Sequence, residues 1–377
     1  MPSCPPRALA RLAVVLPLFV PALLASCAGP SAAEREAEPG DSAWRPLVPI
    51  EEVRFEHHTG LDLEPIEIDG LPAWARAFGI ERPDGSRAVI YVSGDADGAF
   101  TTRKPLLLWF QGSGAQSVFK RYPQGLSGGL FAYLGAEHSD RFHVVVIEKR
   151  GVEFLGGTEH SGNAEGASRE FHEHSTWEGR VGDGCLVLDA LLEHPMVDRS
   201  CVLALGHSEG GDIAAGLAAV RDEVTHVAVL AGAGGCQWAE LVMLLRHDLR
   251  AEGLTETEVE EEVQKLFDDY RAIMAKPDSV DDLFYGHAYR RWSSYGRRTP
   301  AESLVDAQAA IYLAQGTTDR AVPIESFDHV VVELLRRGRT DVTVRRYPDA
   351  DHGFATPDDV EQNGILEALD AAVGWCE

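Results

Sequence analysis

Residues 201–211, CVLALGHSEGG, decide the fold of this chain. The first half is a continuous apolar run of the kind that forms a buried strand, and small residues that suit a closely packed helix follow the stretch. In between, Gly206-His207-Ser208-Glu209-Gly210 is typical of a sharp strand-to-helix turn that holds a serine hydroxyl clear of the backbone. We therefore predict that Ser208 is a nucleophile. A glycine-rich turn without catalysis is the alternative.

The rest of the chain alternates apolar runs with helical stretches. Five further runs have the length and composition of strands: residues 106–110, 143–147, 226–230, 310–314 and 342–347. Helical spacing of apolar residues covers 177–192 and 324–337. Residues 74–80 and 87–92 flank the turn residues Pro83-Asp84-Gly85, which predicts a β-hairpin. Apolar strands that alternate with helices predict the α/β class, with a mostly parallel, doubly wound sheet.

One segment is too long to be an ordinary connection between two strands. Residues 236–302 separate two of the predicted strands, and their apolar residues show helical spacing over 240–249 and 256–274. Thr255 precedes an acidic stretch, which is typical of a helix N-terminus. We predict a helical cap inserted over the sheet. A side subdomain that only packs is the alternative.

A serine hydroxyl needs a general base, and the base needs an acid to orient it. The run at 310–314 leads into a loop that contains Asp319, and the run at 342–347 leads into a loop that contains His352. Sites of open α/β sheets form at the carboxyl ends of the strands, so three strand ends would bring Ser208, Asp319 and His352 together. We predict that these three are the catalytic residues. Three acids remain alternatives to Asp319: Asp351, Asp349 and Glu325.

Two backbone N–H groups are expected to stabilise the oxyanion that forms when Ser208 attacks a carbonyl. The first is that of Glu209, at the start of the helix. The second should come from the loop after an earlier strand, where Gln111-Gly112-Ser113-Gly114 lets the main chain turn its N–H groups towards the site. Ser113 is our candidate, and a plain glycine-rich turn is the alternative. His207 adjoins the nucleophile, but we expect its side chain to pack away from it.

The N-terminus has the pattern of an export signal. A short basic region precedes an apolar run that prolines interrupt and that is too short to span a bilayer comfortably. Leu24-Ala25-Ser26-Cys27 resembles a bacterial lipobox, in which the cysteine becomes the lipid-carrying N-terminus. We predict four parts: a lipoprotein signal peptide over 1–26, a lipid on Cys27, a flexible tether over 27–45 and one domain over 46–377.

These assignments predict an exported bacterial lipoprotein, anchored in a membrane of the cell envelope and facing the periplasm or the exterior. An ordinary signal peptide cut near Ala28 is the alternative. The formal net charge is −26. Because such a surface repels phosphate backbones, we expect no nucleic-acid partner.

Four cysteines remain after Cys4 and Cys27 are assigned to the leader and the lipid: Cys185, Cys201, Cys236 and Cys376. Their spacing fits no zinc motif, and they could form disulfides in any of three pairings or stay buried thiols. Phe171-His172-Glu173-His174 lies in a polar stretch that we expect to be a surface loop. We therefore predict no metal and no organic cofactor.

The motifs resemble those of the α/β-hydrolase superfamily. The resemblance rests on Ser208, Asp319 and His352 in this order, with Gln111-Gly112-Ser113-Gly114 upstream, and it covers nearly everything from about residue 70 to the C-terminus. It implies the α/β-hydrolase fold.

Gly211 adds a second glycine after the nucleophile motif, which resembles the prolyl-oligopeptidase-like and dienelactone-hydrolase-like branches. Glu148-Lys149-Arg150-Gly151-Val152 resembles the acidic-Arg-Gly segment that many members carry after the fourth strand. Two features depart from these patterns. Many members have His-Gly where this chain has Gln111-Gly112, and the segment before the domain is too short for the β-propeller of prolyl oligopeptidases.

Residues and resemblance together predict a serine hydrolase that cleaves an ester, thioester or amide bond of a small molecule through an acyl-enzyme. A carboxylesterase-like activity is the leading version, a peptidase of the prolyl-oligopeptidase-like type is second, and an acyltransferase is third. The alternative from another class is a non-catalytic, lipid-anchored binding module. No pattern in the sequence predicts the oligomeric state.

Overall fold

The computed structural model describes residues 54–94, 99–123, 125–158, 162–232, 234–358 and 363–376. The expected signal peptide over 1–26, Cys27 and the tether over 27–45 lie outside the described residues. None of the helices within the described ranges combines the length and the apolar character that a bilayer span requires.

Nine strands form one central sheet, and two short hairpins lie outside it. The strands are β1 (Glu64–Ile66), β2 (Ala75–Glu81), β3 (Arg87–Ser93), β4 (Lys104–Phe110), β5 (Lys120–Tyr122), β6 (Gly125–Ser127), β7 (His143–Ile147), β8 (Val197–His207), β9 (His226–Leu230), β10 (Leu283–Phe284), β11 (His287–Ala288), β12 (Ala310–Gly316) and β13 (Val342–Tyr347). In the sheet the order is β1-β2-β3-β7-β4-β8-β9-β12-β13. The hairpins are β5-β6 and β10-β11.

The sheet has an antiparallel part and a parallel part. β1, β2 and β3 pair antiparallel, and β3 joins β7 in the same way. From β7 to β13 every pair is parallel, and these six strands are the six that the apolar runs predict. The predicted hairpin is present as β2 and β3. The expectation of a mostly parallel α/β sheet is therefore confirmed.

Ten helices accompany the strands in the described residues. They are α1 (Gly129–His138), α2 (Arg169–His174), α3 (Trp177–Glu193), α4 (Glu209–Val220), α5 (Gln237–Ala251), α6 (Glu256–Ala275), α7 (Tyr289–Tyr295), α8 (Pro300–Asp306), α9 (Ile324–Arg336) and α10 (Gly364–Trp375). α3, α4, α8 and α9 bury apolar side chains on one face of the sheet, and α1 and α10 do so on the other. This is the doubly wound arrangement that alternating strands and helices produce.

The insertion over residues 236–302, predicted to be a cap, contains α5, α6, the β10-β11 hairpin and α7. The helices expected over 240–249 and 256–274 are present and slightly longer. α6 begins where the sequence indicates, because Thr255 and Glu258 form a reciprocal capping box. The β10-β11 hairpin was not predicted, since strands of two residues are too short to show a period. The cap has its own small apolar core, which includes Leu266, Ile273 and Trp292.

One disulfide joins Cys201 in β8 to Cys376, which follows α10. It fixes the helix that covers one face of the sheet to a central strand. Cys185, buried in α3, and Cys236, at the start of α5, are free thiols. Of the four cysteines in the described residues, two are therefore paired and two are free.

Candidate active site

Ser208 occupies the turn between β8 and α4. β8 ends at His207 and α4 begins at Glu209, so Ser208 is the single residue between them, with φ 57° and ψ −134°. A residue with a side chain rarely adopts positive φ, and the surrounding structure must hold it there. Gly210 lets α4 approach the sheet closely enough, because a Cβ at that position would overlap the carbonyl oxygen of Phe110 at the end of β4.

The loops after β12 and β13 bring Asp319 and His352 together. Nδ1 of His352 lies 2.8 Å from Oδ2 of Asp319, whose side chain is fully buried. The same carboxylate accepts hydrogen bonds from the backbone N–H groups of Ala321 and Val322, at 2.7 and 2.9 Å, and from Nε2 of Gln315 at 2.7 Å. Burial alone would raise the pKa of Asp319, but the attraction of His352 and the hydrogen bonds outweigh it and lower this pKa.

His207 connects His352 to the nucleophile turn. Nε2 of His207 donates to the carbonyl oxygen of His352 at 2.9 Å, and the centres of the two rings are 4.8 Å apart. Burial, with a further contribution from the charge of His352, lowers the pKa of His207 to about 4, so its ring is neutral. We expected this side chain to pack away from the nucleophile, and its hydrogen bond to the His352 backbone has no sequence signal.

The three alternative acids have other surroundings. Asp351 accepts hydrogen bonds from two backbone N–H groups of its own loop. Glu325 lies 3.2 Å from His247 of the cap, and Asp349 is exposed. Of the four candidates, Asp319 is the one hydrogen-bonded to the His352 ring.

The loop after β4 approaches Ser208 from the opposite side. A Cβ on Gly112 would lie 3.3 Å from the Ser208 Cβ, so the main chain of this loop contacts the nucleophile. Nζ of Lys149 donates to the carbonyl oxygens of Gly112 and Gly114, at 2.6 Å each. In a trans peptide the N–H points opposite to the carbonyl, so the N–H of Ser113 points away from Lys149.

The side chain of Glu209 lies at the centre of a buried cluster of charges. Arg180 of α3 and Arg291 of α7 both form ion pairs with it, and each of the three side chains is at most 12% exposed. Arg180 also donates to the carbonyl oxygen of Gln111 at 2.7 Å. Burial raises the pKa of Glu209, but Arg291, Arg180 and Lys149 together lower it far more, so the carboxylate is ionised.

The sequence did not predict that these charged residues form a cluster, because they come from four separate parts of the chain. Lys149 lies within the acidic-Arg-Gly segment that the sequence singled out, and Glu209 was a candidate through its backbone N–H alone. Burial lowers the pKa of Lys149 to about 7, with a further contribution from Arg180.

Two groups of side chains bear on metal binding. His172 was expected on a polar surface loop, but it is buried in α2, because the Ser168 side chain caps that helix and Phe171 anchors it in a small core. Among the described residues, Cys201, His226 and Cys376 hold their ligand atoms within 4.8 Å of one another. The two sulfurs of this set are already joined as a disulfide.

A sheet of this order, with the nucleophile turn after β8 and an acid–histidine pair on later strand ends, is the α/β-hydrolase fold of serine hydrolases. The chain belongs to the prolyl oligopeptidase family, whose model matches residues 161–370, more than half of the chain. The matched region contains Ser208, Asp319 and His352. No curated protein matches the chain closely enough to count as a relative.

Solved structures share the fold at low sequence identity. The chain is similar to a puromycin-hydrolyzing peptidase of Mycobacterium tuberculosis, at 16% identity and a TM-score of 0.52, over 82% of this chain and 41% of that one. It is similar to dipeptidyl peptidase 4 of Porphyromonas gingivalis, at 12% identity and a TM-score of 0.52, over 80% and 35%. An acetyl xylan esterase from Paenibacillus sp. R4 has 13% identity and a TM-score of 0.50, over 84% and 88%. The chain thus spans well under half of the two peptidases.

Proposed function

We propose that the protein is a serine hydrolase that cleaves an ester bond, or a thioester or amide bond, through an acyl-enzyme. The observation that carries this proposal is the Asp319–His352 hydrogen bond, at the sheet edge where Ser208 stands in its strained turn. A binding module needs neither a buried ionised carboxylate behind an imidazole nor a strained serine.

In this mechanism Ser208 attacks the substrate carbonyl while His352 takes the hydroxyl proton at Nε2. Asp319 stays ionised, keeps the other ring nitrogen protonated and stabilises the imidazolium. The tetrahedral oxyanion is held by the backbone N–H groups of Glu209 and Ser113. His352 then gives its proton to the leaving group. Water, activated by the same ring, releases the acid from Ser208 in the second half of the cycle.

The positions of the neighbouring carbonyls support the assignment of the donors. Lys149 and Arg180 bind the carbonyl oxygens of Gly112 and Gln111, and so keep these partial negative charges turned towards cations. An oxyanion beside Ser208 then meets N–H groups in place of carbonyl oxygens.

The test of the nucleophile uses a fluorophosphonate probe, which forms a covalent bond to activated serines. The wild-type protein should be labelled at one residue and Ser208→Ala should not be labelled. Ser200→Ala, a change at an exposed serine of the same strand, is the matched control and should be labelled normally. Labelling that survives Ser208→Ala would remove Ser208 from its role, and a folded wild type that takes no label would favour the binding module.

An ester is our leading substrate, and a peptide bond is the second candidate. The structural similarity to the acetyl xylan esterase extends over 88% of that chain, which supports an esterase. The match to the prolyl oligopeptidase family supports a peptidase. A panel of nitrophenyl esters and aminoacyl nitroanilides separates the two. A kcat/KM for the anilides that equals or exceeds that for the esters would favour the peptidase.

We further propose that the protein is exported and carries a lipid on Cys27, with residues 28–45 as its tether. The lipobox-like Leu24-Ala25-Ser26-Cys27 supports this, as does the disulfide, because disulfides persist in oxidising compartments. In a bacterial host, metabolically supplied fatty acid should label the wild type and not Cys27→Ala. Equal labelling of both would contradict the lipid. The absence of label in both would favour an ordinary signal peptide cut near Ala28.

A further inference from the structure

His207 occupies the last position of β8, directly before the nucleophile. β8 lies between β4 and β9 in the sheet, and the N–H of Ser208 donates to the carbonyl oxygen of Leu230 in β9 at 2.9 Å. Neighbouring strands therefore hold the backbone at positions 207 and 208. A side chain that begins here starts from a point that is fixed relative to the nucleophile, because strands hold a site more precisely than loops do.

The loop that carries His352 has a less favourable backbone. Asp349 and Phe354, on either side of the histidine, have φ values of 58° and 60°, a region that residues with side chains rarely adopt. One tie fixes the start of the loop, where the Ala350 carbonyl oxygen accepts hydrogen bonds from the N–H and the hydroxyl of Thr318, at 3.0 Å each. Such a conformation persists only where its surroundings hold it.

The main chain of His352 itself has no tie of this kind. In the part of the chain that the structure describes, neither its N–H nor its carbonyl oxygen forms a backbone–backbone hydrogen bond. The carbonyl oxygen accepts instead from Nε2 of His207 at 2.9 Å, and the two rings pack with their centres 4.8 Å apart. One side chain thus joins the nucleophile turn to the loop of the proposed base.

The state of the His207 ring suits this contact. A carbonyl oxygen only accepts hydrogen bonds, so Nε2 carries the proton. Burial and the charge of His352 lower the pKa of His207 to about 4, which leaves the ring neutral. A neutral neighbour does not oppose the positive charge that His352 gains when it takes the serine proton, whereas a permanent cation at this place would.

Proton transfer makes the position of His352 critical. A base must lie within hydrogen-bond reach of the proton that it takes, about 2.6–3.2 Å between the heavy atoms. Asp319 fixes one point of His352, the ring nitrogen Nδ1. His207 fixes a second point, the backbone carbonyl. With both points held, Nε2 of His352 has a defined place, and with Nδ1 alone held the ring follows any shift of its loop.

We propose that His207 is a positioning residue, which holds the main chain of His352 at the place that proton transfer from Ser208 requires. The inference rests on the serine hydrolase proposed above. It assigns the role to one hydrogen-bond donor, and this distinguishes it from packing, which any ring of similar size supplies.

The first variant removes the donor and keeps a ring. His207→Phe should still pack against the His352 ring but cannot donate to its carbonyl oxygen. We expect kcat for a nitrophenyl ester to fall about 10- to 100-fold, because a small displacement of a reacting group has an effect of this size, with KM changed by less than about twofold. The rate of fluorophosphonate labelling, which depends on the same activated serine, should fall by a similar factor.

Two amide variants separate the donor from the rest of the side chain. The amide nitrogen of glutamine takes nearly the place of imidazole Nε2, so His207→Gln should recover most of the activity. His207→Asn has a shorter side chain whose amide does not reach, and it should be as impaired as His207→Phe. Full activity in folded His207→Phe, or equal activity in the two amide variants, overturns the proposal.

His143 supplies the matched control, because it makes the same contact away from the site. It begins β7, its Nε2 donates to the carbonyl oxygen of Met196 at 2.9 Å, and its ring packs against Phe100 with the centres 4.7 Å apart. His143→Phe should lower the melting temperature about as much as His207→Phe does and leave kcat and the labelling rate unchanged. If the two variants lose activity in parallel, the loss follows stability and the proposal is wrong.

Failure of the underlying function gives a different result. A folded wild type that takes no label and cleaves no ester contradicts the serine hydrolase and, with it, this role of His207. A wild type and a folded His207→Phe protein that are labelled at the same rate contradict the role of His207 alone.

Discussion

Ser208 adopts its strained backbone conformation because its neighbours allow no other. The turn is compressed between the end of β4 and the first turn of α4, and glycine is the one residue that fits where these segments cross. The strain is therefore held by packing that lies outside the catalytic residues themselves.

Gly210→Ala tests this packing. The new Cβ would overlap the Phe110 carbonyl oxygen, so we expect the free energy of unfolding to fall by about 3 kcal/mol and fluorophosphonate labelling to be lost. Chemical denaturation and labelling measure the two effects. Gly374→Ala is the control, because nothing lies within 4 Å of a Cβ there, and its stability should be unchanged or raised by up to about 1 kcal/mol. A stable, labelled Gly210→Ala protein would show that the turn tolerates a side chain at this position.

Asp212 gives a prediction about pH. Burial raises its folded pKa from 3.8 to about 7, so between these values the folded state binds a proton that the unfolded state has lost. Its contribution to stability is thus largest near pH 4 and is lost as the pH rises towards 7. Asp212→Asn should remove this dependence, and at pH 7 should raise the free energy of unfolding by roughly 2–4 kcal/mol.

Denaturation curves at pH 5 and pH 7, compared between wild type and Asp212→Asn, measure the effect. Asp222→Asn, a change at an exposed carboxylate just after α4, is the matched control and should keep the wild-type difference. A wild type that is equally stable at both pH values, with Asp212→Asn no more stable at pH 7, would contradict the prediction.

Lys149 connects two elements, since it follows β7 and fixes the loop after β4. Lys149→Met should release the Gly112 and Gly114 carbonyls, and the loop would lose the orientation that presents the Ser113 N–H. In the proposed mechanism this donor acts in the transition state, so we expect kcat to fall about 10- to 100-fold with little change in KM. Lys104→Met is the matched control, because Nζ of Lys104 also binds a carbonyl, that of Ser139, at the other end of β4. A change in KM alone would show that the loop serves binding.

The elements differ in how well the sequence predicts them. Five of the six parallel strands are predictable because each contains a buried apolar run, which leaves a signal within the run itself, whereas β13 at the sheet edge is more polar and partly exposed. α2 is not predictable in this way, since a cap by Ser168 and one buried phenylalanine support a helix of six residues in an otherwise polar stretch. The β10-β11 hairpin depends in the same way on tertiary packing, because Phe284 of β10 packs against the apolar cluster that includes Leu266 and Trp292.

The residues of the candidate site also differ in how well the sequence predicts them. Ser208, Asp319 and His352 follow strands that the sequence marks, so their loops can be placed at one edge before the structure is known. The ion pairs of Glu209 join α3, α4 and α7, and no local pattern states which distant arginine meets which carboxylate. The sequence therefore supports the type of chemistry better than the choice of substrate.

At the scale of the whole molecule, the disulfide between Cys201 and Cys376 closes a long loop, because the two cysteines are 175 positions apart in the sequence. In the chain-entropy account, a cross-link over so long a loop destabilises the unfolded state strongly. Cys376→Ser, or reduction of the wild type, should lower the free energy of unfolding by about 2–5 kcal/mol. Cys236→Ser, at a free thiol, should have a smaller effect and should remain sensitive to reductant. A wild type whose melting temperature is the same with and without reductant would show that the bridge does not stabilise the fold.

The order of the strands in the sheet also has a consequence for the time at which activity appears. β4 pairs with β8, and the loops after β12 and β13 complete the candidate site. His207 therefore binds a histidine that lies 145 residues further along the chain. Contacts between such distant segments form slowly, and a chain that emerges from its N-terminus presents Ser208 long before His352, the base of the proposed mechanism. We therefore expect a polypeptide that has emerged only in part to be inactive. Activity should appear only after β12 and β13 have joined the sheet.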